Sequence, residues 1–158
     1  MPTYATINDL NAFFSAANVA DWADKDRDGN LGPEERLAVE AGLEASEGIL
    51  DGYLQKAGYA APFDASAFAA LPPRLRNLLR QWTVVITGFY LYAWRGFQDR
   101  VNPFEGLYTH TLSQLKSLAA GLPLAGLVKE TQVRFRTGLT ASKPTDNVTH
   151  IKGDAWDW

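Results

Sequence analysis

Twelve consecutive residues carry the densest chemistry in this chain: Asp24-Lys25-Asp26-Arg27-Asp28-Gly29-Asn30-Leu31-Gly32-Pro33-Glu34-Glu35. Acids at the first, third and fifth places, Gly at the sixth and Glu at the twelfth match the calcium-loop pattern. A hard dication takes six to eight oxygens, and Asp24, Asp26, Asp28, the Asn30 carbonyl and a bidentate Glu35 would supply them, with Gly29 making the turn. Leu31 falls where an apolar side chain ties such a loop to a core. The same residues have a second reading, an acidic solvated turn that caps the helix after it. The pattern occurs once, so a paired loop is missing, and both readings stay open.

Other chemistry is sparse. His110 and His150 are the two histidines, and neither has a neighbour at ligand spacing, which assigns them surface or satisfied polar roles. Cysteine is absent, which excludes disulfides and thiolate catalysis. There is no glycine-rich phosphate loop and no GxSxG elbow. Arg74, Arg76 and Arg80 share one helix and are expected to form a wet or interfacial face rather than a phosphate site. The expectation is a protein that is not an enzyme.

The elements that must position the acidic loop follow from spacing. With 158 residues, 46% of them hydrophobic, the chain supports one compact domain and a tail. Thr6 with Asp9 predicts a capping box and a first helix over about Ile7 to Ala16, burying Leu10, Phe13 and Phe14. Asn18 to Ala23 is short and ambiguous. Pro33, followed by Glu34 and Glu35 at the positive end of the helix dipole, opens a long helix to about Lys56, with Leu43, Ile49, Leu50, Tyr53 and Leu54 inward. Gly42, Gly48 and Gly52 each weaken it by about 1 kcal/mol relative to Ala, which requires a compensating reason such as close helix approach.

Tyr59 to Leu71, Ala-rich behind Gly58 and containing Pro62, reads as a surface loop. Pro72-Pro73 open a central core helix carrying Leu75, Leu78, Leu79, Trp82, Val85, Ile86 and Phe89. Its apolar stretch Trp82 to Trp94 is too short for a bilayer and is bracketed by Arg80 and Arg95. The first residues lack the basic and apolar regions of a secretory signal. Asn102-Pro103 start a fourth helix with Leu107, Leu112, Leu115 and Leu118 as its stripe, stopped by Gly121 and Pro123. The expected fold is therefore mainly α, about four helices over residues 1–125, followed by an extended C-terminal arm over 126–158.

Within the arm, Val133-Arg134-Phe135-Arg136-Thr137 alternates like a half-buried strand. Trp156 and Trp158 place two large apolar rings on a polar end, which favours docking, either back on the same domain or onto a neighbouring chain. Arg134, Phe135, Trp156 and Trp158 are the candidate interface residues. Charge is polarised too. Residues 1–70 carry 4 Lys/Arg against 12 Asp/Glu, and residues 71–158 carry 11 against 6. Such a subunit can dock acidic face on basic face, unless folding mixes the surface.

The order of these features resembles a family of phage proteins of Mu-like phages and gene transfer agents, the head-tail adaptor or head-completion proteins. The resemblance is carried by Tyr4-Ala5-Thr6 leading into Asp9-Leu10, the Asp24 to Gly29 loop, Ile49-Leu50-Asp51-Gly52-Tyr53-Leu54, and Pro72-Pro73 leading into Leu75. It covers about residues 3–125, with looser agreement through Val133-Arg134-Phe135. It implies a helical virion subunit that forms a ring, twelve-fold, between the portal protein and a tail-side connector or tail terminator. DNA would pass through the lumen without sequence readout, with no membrane involved. The Ala-rich segment Tyr59 to Leu71 and the aromatic end depart from the pattern, which leaves the partner open. The rival reading from the residues is a calcium-binding interaction module built on the single acidic loop.

Overall fold

A computed structural model of the chain describes residues 2–95, 102–127 and 129. Among them are six helices: α1 (Ile7–Phe14), α2 (Ala16–Ala23), α3 (Pro33–Lys56), α4 (Ala65–Ala70), α5 (Pro73–Trp94) and α6 (Glu105–Ala119). The mainly helical class is as expected, with two short helices more than the spacing predicted.

The expected capping box starts α1. The Thr6 hydroxyl accepts from the Asp9 N–H at 3.3 Å, and the Asp9 carboxylate accepts from the Thr6 N–H at 2.9 Å. Leu10 and Phe14 are buried, but Phe13 is 44% exposed. Positions 10, 13 and 14 span about 100° of one helix face with 10 between the other two, and the structure seats the 10–14 side on the core and leaves Phe13 at the rim, edge-on to Phe14. The helix stops short of Ala16 because Ser15 takes φ 72, and Ser15 then caps α2 with its hydroxyl. Val19, Trp22 and Ala23, at three-and-four spacing, give α2 a buried side.

The segment expected as a surface loop instead folds inward. Asp64 accepts from the Ala67 N–H at 2.7 Å and starts α4, while Tyr59, Phe63 and Phe68 are buried. Three aromatic rings within ten residues outweigh the loop-like Ala and Pro composition, because burying such rings dominates core energetics.

Helices α3 and α5 form an antiparallel central pair. Gly42 and Ser46 face Thr87 and Trp94, while Leu50 and Leu54 share a cluster with Leu75 and Leu79. α6 adds Leu115 and Leu118 to that cluster, and Tyr4 and α4 close it. A second cluster joins Leu10, Phe14, Val19, Trp22, Val39, Leu43, Val84 and Leu91. Close helix approach accounts for only one of the three glycines in α3: a Cβ on Gly42 would meet Trp94 at 3.4 Å, whereas Gly48 and Gly52 face open space. The tightest packing is at Gly88 of α5, where an added Cβ would overlap the Phe14 ring.

No described helix is long and apolar enough to cross a membrane. The arm, apart from Gly126, Leu127 and Lys129, lies outside the described residues, and with it the predicted strand and Arg134, Phe135, Trp156 and Trp158.

Candidate functional site

The acidic loop joins two helices of opposite character. Entering α2 is anchored by Val19 and Trp22, and exiting α3 begins at Pro33 with Glu34 and Glu35 in its first turn. Two residues of the loop take left-handed backbone, Arg27 at φ 65 and Gly29 at φ 81. Gly29 does so freely, whereas Arg27 bears the steric cost of a Cβ in that region. Leu31 is partly buried against the second cluster, as its apolar position predicted.

Within the loop, carboxylates accept from backbone N–H groups. Asp24 takes Arg27 at 2.5 Å and Gly29 at 2.9 Å, Asp26 takes Asp28 at 3.1 Å, and Asp28 takes Asn30 at 2.7 Å. Asp24, Asp26 and Asp28 each offer an oxygen, and these three atoms lie within 4.8 Å of one another. Asp24 is buried and the other two are exposed. The Gly29 N–H is the main influence holding the Asp24 carboxyl below the ordinary range. At Asp26 the bond from Asp28 acts the same way, but lost hydration and the Asp28 and Glu35 charges push its carboxyl upward overall.

The fourth predicted carboxylate is engaged elsewhere. Glu35 is buried and accepts from the Lys25 N–H at 3.0 Å through one oxygen and from the Gly32 N–H at 2.5 Å through the other. It latches the start of the loop to the start of α3, a task that serves both the capping reading and a preformed cation loop. Each Glu35 oxygen accepts one N–H and keeps a second lone pair, so the latch and a cation do not exclude each other. Asn30 donates its side-chain amide to the Asp28 carbonyl at 3.3 Å.

The remaining candidates separate. His110 contacts Gln114 at 3.1 Å on an exposed face, and His150 lies outside the described residues. Arg80 pairs with Asp9 at 3.2 Å and Arg95 pairs with Asp21. Beside the loop, Trp22, Lys25, Arg27, Trp94 and Arg95 line a cleft of about 620 Å³.

Sequence reasoning missed a second polar centre. The Glu47 carboxylate accepts from the N–H groups of Thr3, Tyr4 and Ala5 at 2.8, 2.5 and 3.3 Å, and the Tyr4 hydroxyl donates to Asp51 while accepting from the Phe63 N–H at 2.9 Å. The signal was present: Glu47 and Asp51 lie four apart on the side of α3 that also carries Leu43, Leu50 and Leu54. Acids on an apolar stripe are there for a partner. Here the partner is the chain's own amino-terminal segment, so this centre is structural.

The family described as Bacteriophage Mu, Gp36 matches residues 4–139, a span that holds Tyr4 with its anchor, the acidic loop and all six helices. A comparison with curated proteins gives no match. On that span the chain belongs to the Bacteriophage Mu Gp36 family, and it is a phage structural protein associated with the virion.

Proposed function

We propose that the chain is a head-tail connector subunit, one copy of a ring that sits between the portal protein and the tail-side proteins and leaves a channel for DNA. The family membership over residues 4–139 carries this reading. One feature of the surface supports it. Phe13, Leu37, Trp94, Leu107 and Leu122 are each 44% exposed or more, apolar area that a lone subunit leaves wet. Lateral contact between copies is the economical way to cover it. The role is physical rather than catalytic, and the arm with Arg134, Phe135, Trp156 and Trp158 is proposed to staple a neighbouring copy or the portal.

Electron microscopy of particles carrying a labelled subunit tests the reading. Density for the label at the head-tail vertex is expected. Label that is absent from particles, or scattered over the capsid, overturns it.

Calcium remains a proposal for the acidic loop and rests on the three converging carboxylates. Calorimetry of the full chain reads it directly. Heat of binding and a melting point raised by millimolar calcium, reversed by chelator, support an ion there; no heat and an unchanged melting point remove it.

A further inference from the structure

Folding concentrates the charge asymmetry at the two ends of the α3–α5 pair. At one end stand α2, the acidic loop, the first half of α3 and the last turn of α5. Residues 20–45 hold eight Asp or Glu against three Lys or Arg, and Arg95 adds one cation, leaving four negative charges net. At the opposite end stand the last turn of α3, α4, the first turns of α5 and the end of α6. Residues 52–80 hold four Lys or Arg against one Asp, Asp9 pairs with Arg80, and Lys116 and Lys129 bring the net to four positive.

α3 alone has 24 residues, so at 1.5 Å per residue its ends are about 36 Å apart. Screening in physiological salt extends about 8 Å, so the two ends do not neutralise each other within one subunit. They would do so in contact.

Each end also carries uncovered apolar surface. Leu37 is 66% exposed and Trp94 59% exposed at the acidic end. At the basic end Leu122, 64% exposed, lines a groove of about 350 Å³ with Leu78, Pro123 and Leu124, over the buried Trp82 and Leu118 and beside Ser113, Gln114 and Ser117. An apolar centre with a charged rim of opposite sign on the two partners is the composition of a protein interface.

We propose that the occupant of each end is the opposite end of a second copy of this chain. The contact is heterologous, acidic end on basic end, and it repeats from copy to copy; it closes into a ring where the rotation between copies allows. The proposal deepens the connector reading and rests on it for ring closure, while the contact itself is measurable without particles.

Two variants of the full chain test it. Glu34→Lys, Glu40→Lys and Glu44→Lys together make both ends basic, and Lys56→Glu, Arg74→Glu, Arg76→Glu and Lys116→Glu together make both ends acidic. Sedimentation equilibrium should show wild-type association weakening by about tenfold or more between 50 and 500 mM NaCl, the size expected of screened charge pairs. Each variant should stay monomeric where the wild type associates, and an equimolar mixture should associate again. Variants that associate like the wild type, a mixture that stays monomeric, or a wild type with no salt-sensitive association overturn the contact. Where circular dichroism shows a reversal variant unfolded, the same positions changed to Gln read the same loss. A mixture that fails to associate while labelled subunits stand at the vertex removes this contact and leaves the connector reading. Restored association with no label in particles does the opposite.

Discussion

The backbone N–H of Tyr4 meets the Glu47 carboxylate at 2.5 Å across 43 positions of sequence, with Thr3 and Ala5 donating to the same group. An extended segment with no helix of its own to satisfy its amides is thereby fixed on α3. Glu47→Ala leaves buried N–H groups without an acceptor, and each such group costs about 1–3 kcal/mol. Chemical denaturation of Glu47→Ala should show a loss of about 2–4 kcal/mol in stability. A loss below the scatter of surface substitutions would mean that water replaces the carboxylate.

The same anchor sets a pH dependence. Burial pushes the Glu47 and Asp51 carboxyls above their ordinary range, against the hydrogen bonds that favour their charge. A raised pKa in the folded state means that this contribution to stability is full below the unfolded value and is lost as pH rises through the folded one. Asp21, paired with Arg95, and Asp24 and Asp64, bonded by backbone N–H groups, are lowered and act in the opposite sense, losing their contribution as pH falls. Glu47→Gln removes one raised group. Its melting temperature relative to wild type should therefore improve from pH 4 to pH 7, whatever the constant penalty of an amide there; a relative decline refutes the sign.

Much of this fold was legible because its strongest signals are local. Thr6 with Asp9, Pro33 before two glutamates, and Pro72-Pro73 each mark a helix start through chemistry confined to one turn, and all three starts stand within a residue of the structure. α2 and α4 were hidden because eight and six residues give too few turns for a periodic stripe, and their stability comes from tertiary burial of Trp22 and Phe68. At the acidic loop, spacing revealed the three converging aspartates. It did not reveal that the Lys25 and Gly32 amides occupy Glu35. That engagement depends on how α3 is seated, which no twelve-residue pattern contains.

Glu35 gives a test that separates capping from cation binding. As a latch, it satisfies two backbone donors whether or not an ion is present. Glu35→Ala measured with chelator should lower stability by about 1–3 kcal/mol. A residue serving only as a cation ligand would show no loss under those conditions, so an unchanged melting temperature would remove the latch.

The helix glycines divide by what lies over them. Gly48 and Gly52 face open space inside α3, so alanine gains helix propensity and meets nothing. Each change should stabilise by about 0.5–1 kcal/mol, and the two should add, since their Cβ atoms touch no common neighbour. Gly88→Ala should destabilise, because its Cβ must displace the buried Phe14 ring between α1 and α5. Urea midpoints of the three variants check the order, and a stabilised Gly88→Ala would show that Phe14 yields freely.

A buried hydroxyl ladder ties the central helices together. Thr87 of α5 contacts the Ser46 hydroxyl of α3 at 2.9 Å and the Thr83 carbonyl at 2.8 Å, and Ser46 donates to the Gly42 carbonyl at 2.8 Å. Thr87→Val keeps the shape and removes the hydroxyl, leaving Ser46 with its bond to Gly42 but without its cross-helix partner. The single change should cost about 1 kcal/mol, the net worth of a typical hydrogen bond. Ser46→Ala strands Thr87 less, because Thr87 can still donate to Thr83. The double variant should then cost less than the two singles together, since removing both partners leaves no unmet group across the interface. Strict additivity in that cycle would mean that the Ser46–Thr87 contact adds nothing to the α3–α5 pairing and that apolar packing along the two helices sets it.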